Sequence, residues 1–392
     1  MAETTLKKRT LDWVQGLEAG NGSVFPIVAS SPFRTLEATC FGIFVYELFG
    51  ALDSVPEERR GEWREFILAC QDAQTGIFYD PLLRHADVAA PYDWEYVTWQ
   101  MTFFALGALD ALGAKPRYRT TFRDLLKTPS AVGERLDGGN WTEPWGESNR
   151  VMFLLTFLLN EGAVDLAHCV LNWLDAHQDP ETGFWGTQHG ATLREGMAAA
   201  FHFYSYYFYL DRPVHHAQAI IDHTLQLQEP DGLYTAGGGG GACADLDAVD
   251  TLVKFSLLTD YRAEDIKASL SRSYSAILAN QRPSGAFCEA VRPPTPKSVK
   301  RRVGEALLLD KLFRKPYRPY VAEVCRGWEK TRYLCNEGDL WSTWFRPLAL
   351  ALVSTRYPGE FIDDISWAFR RAPGLGWHDS AHLRKIRDGV CT

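Results

Sequence analysis

The sequence predicts an all-α chain in which about six helical hairpins close into an (α/α)6 toroid around a central cavity. Three observations predict it. A glycine followed two or three residues later by an aromatic recurs at Gly76/Phe78, Gly139/Trp141, Gly183/Trp185, Gly232/Tyr234, Gly285/Phe287 and Gly338/Trp341, at intervals of 44 to 63 residues. Helix-length stretches alternate between almost wholly apolar and amphipathic. Strand signals, meaning alternating runs bounded by turn residues, are nearly missing. A recurrence near fifty residues marks a supersecondary unit that must stack on its neighbours to bury an apolar face.

Along the chain, Leu36–Leu52, Trp94–Leu112, Ser148–Leu159, Met197–Leu210, Leu246–Leu258, Val303–Leu312 and Trp341–Leu352 are apolar nearly throughout, as helices packed on all sides must be. Trp63–Ala73, Val164–Gln178, Val214–Leu227 and Ala263–Ala279 carry a single apolar face and read as an outer layer. Phe201–Leu210, FHFYSYYFYL, is too continuously aromatic for periodicity to decide. Pro347 should kink or reset the helix that holds it. The expected organisation is an N-terminal segment over 1–35, a toroid over 36–356 and a terminal helix and cap over 357–392. In such a ring, residues at the amino-terminal ends of the inner helices line the mouth of the cavity.

At 392 residues and 46% hydrophobic, the chain can bury a large core. A net charge of −8 supplies no broad basic field, which argues against a nucleic-acid partner. The basic run Lys297–Arg302 reads as a solvated loop. The start, MAETTLKKRTLDWVQGL, lacks an apolar core of signal-peptide length, and no apolar run long enough to span a bilayer follows. The expected location is cytoplasmic. Eight cysteines without a CxxC pair read as reduced thiols.

The chemistry concentrates in Tyr234–Leu258, YTAGGGGGACADLDAVDTLVKFSLL. Gly237–Gly241 must be a loop, because glycine loses the most conformational freedom on folding. Asp247, Asp250 and Thr251 then share a face in the first turns of a helix. One reading is a helix N-terminus with Asp245 or Asp247 as the cap and acidic first-turn residues. The other is that crowded carboxylates raise one another's pKa and leave one protonated as a general acid, with Asp247 the acid and Asp245 and Asp250 tuning it.

Four of the copies carry a glutamine four or five residues before the glycine: Gln71, Gln178, Gln228 and Gln281. These resemble the glutamine-tryptophan repeats of the terpenoid cyclase and protein prenyltransferase α/α toroids, over roughly Cys40 to Ser354. The resemblance implies that the repeat ties neighbouring helices together and carries no chemistry. It also implies that Asp245-Leu-Asp247-Ala-Val-Asp250-Thr251 stands where class II cyclases of the squalene-hopene type carry D-x-D-D-T, whose middle acid protonates an alkene. Aligned on Asp245, the middle acid is Asp247 and Ala248 follows it; aligned on Asp250-Thr251, Val249 takes the middle place. The zinc shell of the prenyltransferase branch is not matched, since Leu252 falls where its thiolate belongs and the helix at Trp341 has no histidine.

The function this implies is a terpene cyclase-like enzyme holding an apolar, isoprenoid-type small molecule. Trp141, Trp145, Trp341, Trp344 and Phe345 are candidate walls, whose π-faces would stabilise developing cation character. No cofactor is expected, Mg2+ entering only with a diphosphate substrate. A peripheral membrane contact would suit an apolar substrate, and the oligomeric state is open. A carbohydrate-active toroid, a lyase, glycosidase or epimerase, is the alternative. It would draw on the loop Asn140–Arg150, with Asn140 and Glu143 and with Ser148 as a helix cap, and on the cluster His189, Glu195, His202 and Tyr206. A non-catalytic toroid binding or scaffold protein is the third reading.

Overall fold

The computed structural model describes residues 3–18, 24–124, 126–291, 323–362 and 365–390. The described helices are α1 (Glu3–Glu18), α2 (Leu36–Leu48), α3 (Glu57–Ala69), α4 (Trp94–Ala111), α5 (Pro129–Asp137), α6 (Pro144–Asn160), α7 (Val164–Ala176), α8 (Leu193–Tyr209), α9 (Ala217–Gln226), α10 (Ala242–Leu258), α11 (Ala263–Leu278), α12 (Leu340–Arg356) and α13 (Ser380–Val390). The strands β1 (Glu323–Val324) and β2 (Tyr333–Leu334) form one short antiparallel pair.

Among the described residues, six apolar helices make the inner layer. Each of α2, α4, α6, α8 and α10 packs on the next in that series, α10 packs on α12, and α12 packs back on α2, closing the ring. Walled on both sides, such a helix has no face left for water, and α2 buries every residue except Glu47. Phe41 of α2 shows the packing: its ring lies 4.8 Å from both Phe104 of α4 and Trp341 of α12, joining three inner helices. The outer helices α1, α3, α7, α9 and α11 each lie against one or two inner ones. They need only one apolar stripe, and α9 buries just Ile220, Ile221 and Thr224. α12 runs on through Pro347. The expected helix Val303–Leu312 and the basic run Lys297–Arg302 lie outside the described residues. No described helix is long and apolar enough to cross a membrane.

The glutamines explain the repeat. Each side-chain amide donates to the carbonyl of its own repeat glycine and to the next outer segment: Gln71 to Gly76 and Tyr118, Gln178 to Gly183 and His215, Gln228 to Gly232 and Ser269. Gln281 does the same with Gly285 and with Thr10 of α1, so this tie joins the end of the chain's repeats to its first helix. Gly285 has φ +101°, and a Cβ there would sit 2.1 Å from the Arg9 carbonyl oxygen. The close passage of α1 therefore excludes any side chain. Gly139 and Gly338 lack both the glutamine and the positive φ. The six sequence copies are thus four structural ties and two glycines in other settings.

All these features place the amino-terminal ends of the inner helices around one mouth. The opposite end is closed by the tail, where residues 370–377 fold back on themselves through Arg370 N–H to Gly376 O (3.0 Å) and Trp377 N–H to Gly374 O (3.1 Å). α13 follows and packs on α10.

Candidate active site

The inner helices present ladders at a spacing of four, the interval that stacks side chains on one helix face. Tyr96, Gln100 and Phe104 of α4, preceded by Tyr92, are one. Trp145, Asn149 and Phe153 of α6, Cys243 and Asp247 of α10, and Trp341 and Phe345 of α12 are the others. Together with His202 they wall an inner cavity of about 30 Å³. Outside it lies a vestibule of about 250 Å³ bordered by Glu195, Tyr234, Gly241 and Glu289. Trp145, Cys243, Asp247 and Arg326 line both spaces and form the junction between them.

The three aspartates of α10 fall into three different environments. The helix begins at Ala242 with Gly241 as its cap, so neither Asp245 nor Asp247 is the capping residue. Asp245 is consumed structurally. Its carboxyl accepts from Tyr234 N–H at 2.8 Å, from Gly241 N–H at 3.1 Å and from Arg346 Nη1 at 3.0 Å. Burial pushes this carboxyl up, while Arg346 and the two amides pull it back. With three donors and both oxygens accepting, it stands as a carboxylate holding the glycine loop to the helix. Asp250 faces away from the cavity. It pairs with Lys254 at 2.5 Å, both side chains being buried, and Lys254 also donates to Ser205 of α8.

Asp247 alone of the three lines the cavity. It is 2% exposed, and no hydrogen bond or ion pair reaches its carboxyl among the described residues. Burial, then the charges of Asp250 and Asp245, push it well above the usual carboxylate range, against the pull of Arg326. Burial and like charges of this kind favour the protonated form of a carboxyl.

Arg326 comes from the irregular segment after β1. Nη2 meets Glu289 at 2.5 Å, Nη1 points at Cys243 Sγ at 3.2 Å, and the guanidinium lies 4.1 Å over the Trp341 ring. Trp341 donates from Nε1 to the same sulfur and stacks on Phe345, with centroids 4.7 Å apart and 7° between planes. Burial pushes the Cys243 thiol up to about 12, so it serves as an acceptor and not as a nucleophile. His202 is held by Ser148 Oγ at 2.9 Å, and burial lowers its pKa to about 3, so it is neutral.

Several expected wall residues lie elsewhere. Trp141 is buried in the outer layer, bonded to the Leu136 carbonyl and stacked on Trp173, because its loop precedes α6 on the outside of the ring. Trp344 points into the core between Phe41, Phe44 and the tail, one face of α12 round from Trp341. Tyr206 is fully buried and spends its hydroxyl on Thr156 and the Met152 carbonyl. His189 sits exposed on a short 3-10 turn. Glu195 reaches the vestibule, but its carboxylate closes the Thr192 capping box of α8. Asn140 is exposed and bonds Thr142, and Ser148 lies within α6 because that helix already starts at Pro144. The cluster expected for sugar chemistry is therefore not assembled. Among the described residues, no three His, Cys, Asp or Glu side chains converge as a metal shell requires.

Reading motifs missed Arg326, Tyr92, Tyr96, Gln100 and Cys243, and assigned Asn149 to a loop although it lies on α6. The ladders were a usable signal, since Gln100 and Asn149 are polar residues stranded in apolar helices at the spacing of four. Arg326 carried none.

No protein-family model and no curated protein matches the chain. Among solved structures it is similar to an apo variant of the type II terpene cyclase MstE from Scytonema, at 14% identity over 91% of this chain and 98% of that one, with a TM-score of 0.44. It is also similar to a polysaccharide lyase, at 12% identity over 90% of this chain and 98% of that one, with a TM-score of 0.43.

Proposed function

We propose that this chain is a toroid enzyme that protonates a neutral, alkene-bearing substrate of isoprenoid type, with Asp247 as the general acid. The observation that carries the reading is the division of labour in α10: Asp245 and Asp250 are bound to buried cations, and Asp247 is left at the edge of an aromatic chamber with no ion pair among the described residues and its pKa raised by burial. Proton transfer from the Asp247 carboxyl to one alkene carbon leaves a tertiary cation facing Trp341, Phe345, Tyr96 and Phe104. Arg326 then compensates the new carboxylate. Its own charge is balanced by Glu289, so the chamber is not burdened with a free cation beside the carbocation.

The size of the spaces orients the substrate. An inner cavity of about 30 Å³ admits only the end of a chain, so the remainder lies in the vestibule and the terminal alkene meets Asp247 at the junction. Both arginines on the vestibule are already paired, Arg194 with Glu229 and Arg326 with Glu289. That favours a neutral polyprene over a diphosphate, and Mg2+ is then not needed.

The test is incubation with neutral polyprenes and their terminal epoxides in deuterated water, read by mass spectrometry for a product carrying deuterium at the protonated carbon. Asp247→Asn should lower turnover by a factor on the order of 10²–10⁴ while leaving the fold intact. Undiminished turnover in that variant rejects the acid. Conversion of oligosaccharides with no reaction of any polyprene would establish the carbohydrate reading instead, and ligand binding without conversion of either would mark a binding protein.

A further inference from the structure

We propose that Leu375 of the C-terminal tail sets the length of the apolar chain that the ring accepts, by forming the floor between two cavities that it lines on both sides. The proposal rests on the isoprenoid reading of the site for its choice of ligand. Leu375 lines the inner cavity, and it also lines a separate basal cavity of about 170 Å³ among Leu106, Asn160 and Tyr209 near the carboxy-terminal ends of the inner helices. Phe103 lines the basal side. Its ring lies 5.4 Å from those of Phe104 and Phe153 on the inner side.

The tail is shaped to deliver one side chain to this place. Gly374 has φ +129° and Gly376 φ +85°. A Cβ on Gly374 would lie 3.2 Å from the Tyr206 hydroxyl, and one on Gly376 would lie 2.9 Å from Cζ2 of Trp344. The finger therefore needs glycine on both sides of residue 375. Its anchors are independent of the leucine side chain: the backbone hydrogen bonds from Arg370 N–H to Gly376 O and from Trp377 N–H to Gly374 O, the Arg370 guanidinium 3.7 Å over the Phe44 ring, and the Arg370–Glu47 contact at 3.4 Å. Shortening Leu375 therefore removes the floor and leaves the finger in place, which would connect the inner cavity to the larger basal one.

The experiment compares wild type, Leu375→Ala, Leu375→Phe and Leu375→Met for binding of geraniol, farnesol and geranylgeraniol and of n-alkanols of matched length. Binding is followed by tryptophan fluorescence and thermal shift, with circular dichroism confirming the fold. Leu375→Ala should gain about tenfold in affinity for the chain one isoprene unit longer than wild type prefers. Leu375→Phe should lose about tenfold for the wild-type length, and Leu375→Met should resemble wild type. A preference that shifts in the n-alkanols while no prenyl alcohol binds supports the floor and removes the isoprenoid reading. An unchanged length preference in Ala and Phe variants that still bind overturns the floor, and failure of both series to bind any of the proteins overturns both.

Discussion

Arg346 of α12 and Asp245 of α10 meet at 3.0 Å with side chains 0% and 1% exposed, so two neighbouring inner helices are joined by an ion pair from which water is excluded. The guanidinium also donates to the backbone carbonyls of Cys288 and Glu289, and the carboxylate holds the amides at either end of the glycine loop. One pair thus fixes the vestibule wall, the start of α10 and the segment that carries Glu289.

Losing one partner of a buried pair strands the other charge. We predict that Arg346→Met destabilises the fold by about 3–5 kcal/mol. The double variant Arg346→Met with Asp245→Asn should recover part of that loss. Urea denaturation of the four members of the cycle measures it, and additive single losses would show that the two side chains are energetically independent.

The second buried pair, Asp250 with Lys254, serves as the control for chemistry. Neither residue lines the inner cavity or the vestibule. The variant carrying both Asp250→Asn and Lys254→Met should keep turnover within about tenfold of wild type, whereas Asp247→Asn loses on the order of 10²–10⁴. Equal losses in the two variants would place the acid function in the whole trio and not in Asp247.

The repeat glycines predict where the ring is least tolerant. Gly285→Ala must displace the Arg9 carbonyl from 2.1 Å, and it also suffers a φ of +101°. Gly237→Ala suffers a comparable φ of +80° but meets nothing within 4 Å. The left-handed conformation alone costs about 1–2 kcal/mol, so Gly237→Ala should cost about that and Gly285→Ala at least about 2 kcal/mol more. Thermal unfolding of the two variants checks the difference; equal destabilisation would mean that α1 does not pass close to Gly285.

The ring was legible because its cause is repeated: each inner helix must be apolar all round, and the Gln-Gly tie recurs four times along the chain. The acidic cluster was legible as well, since three carboxylates fall within six residues where an apolar helix begins. What differed was the partner of each. Arg346 lies 101 positions from Asp245 and Arg326 lies 79 from Asp247, and nothing local in α10 announces either cation. Trp341 and Trp344 show the same limit on a smaller scale, for both sit in one apolar run and a rotation of three residues decides which meets the cavity.

The stability of Asp247 should depend on pH with a definite sign. In the unfolded chain this carboxyl titrates near the model-peptide value of about 3.9. In the fold, burial first, then Asp250, Asp245 and Glu289, hold it well above the ordinary range, with Arg326 the one group pulling down. Between those two pKa values the native state binds the extra proton, so rising pH costs stability until the folded pKa is passed, after which the penalty is constant. Asparagine carries no proton to lose. We therefore predict that Asp247→Asn melts at a higher temperature than wild type at neutral pH and above, and that the advantage shrinks toward zero as the pH falls below about 4. Melting curves of both proteins from acid to mildly alkaline pH decide the matter. Two parallel pH profiles would mean that Asp247 titrates in the fold as it does in water, and the protonated acid at the mouth of the chamber would be lost with it.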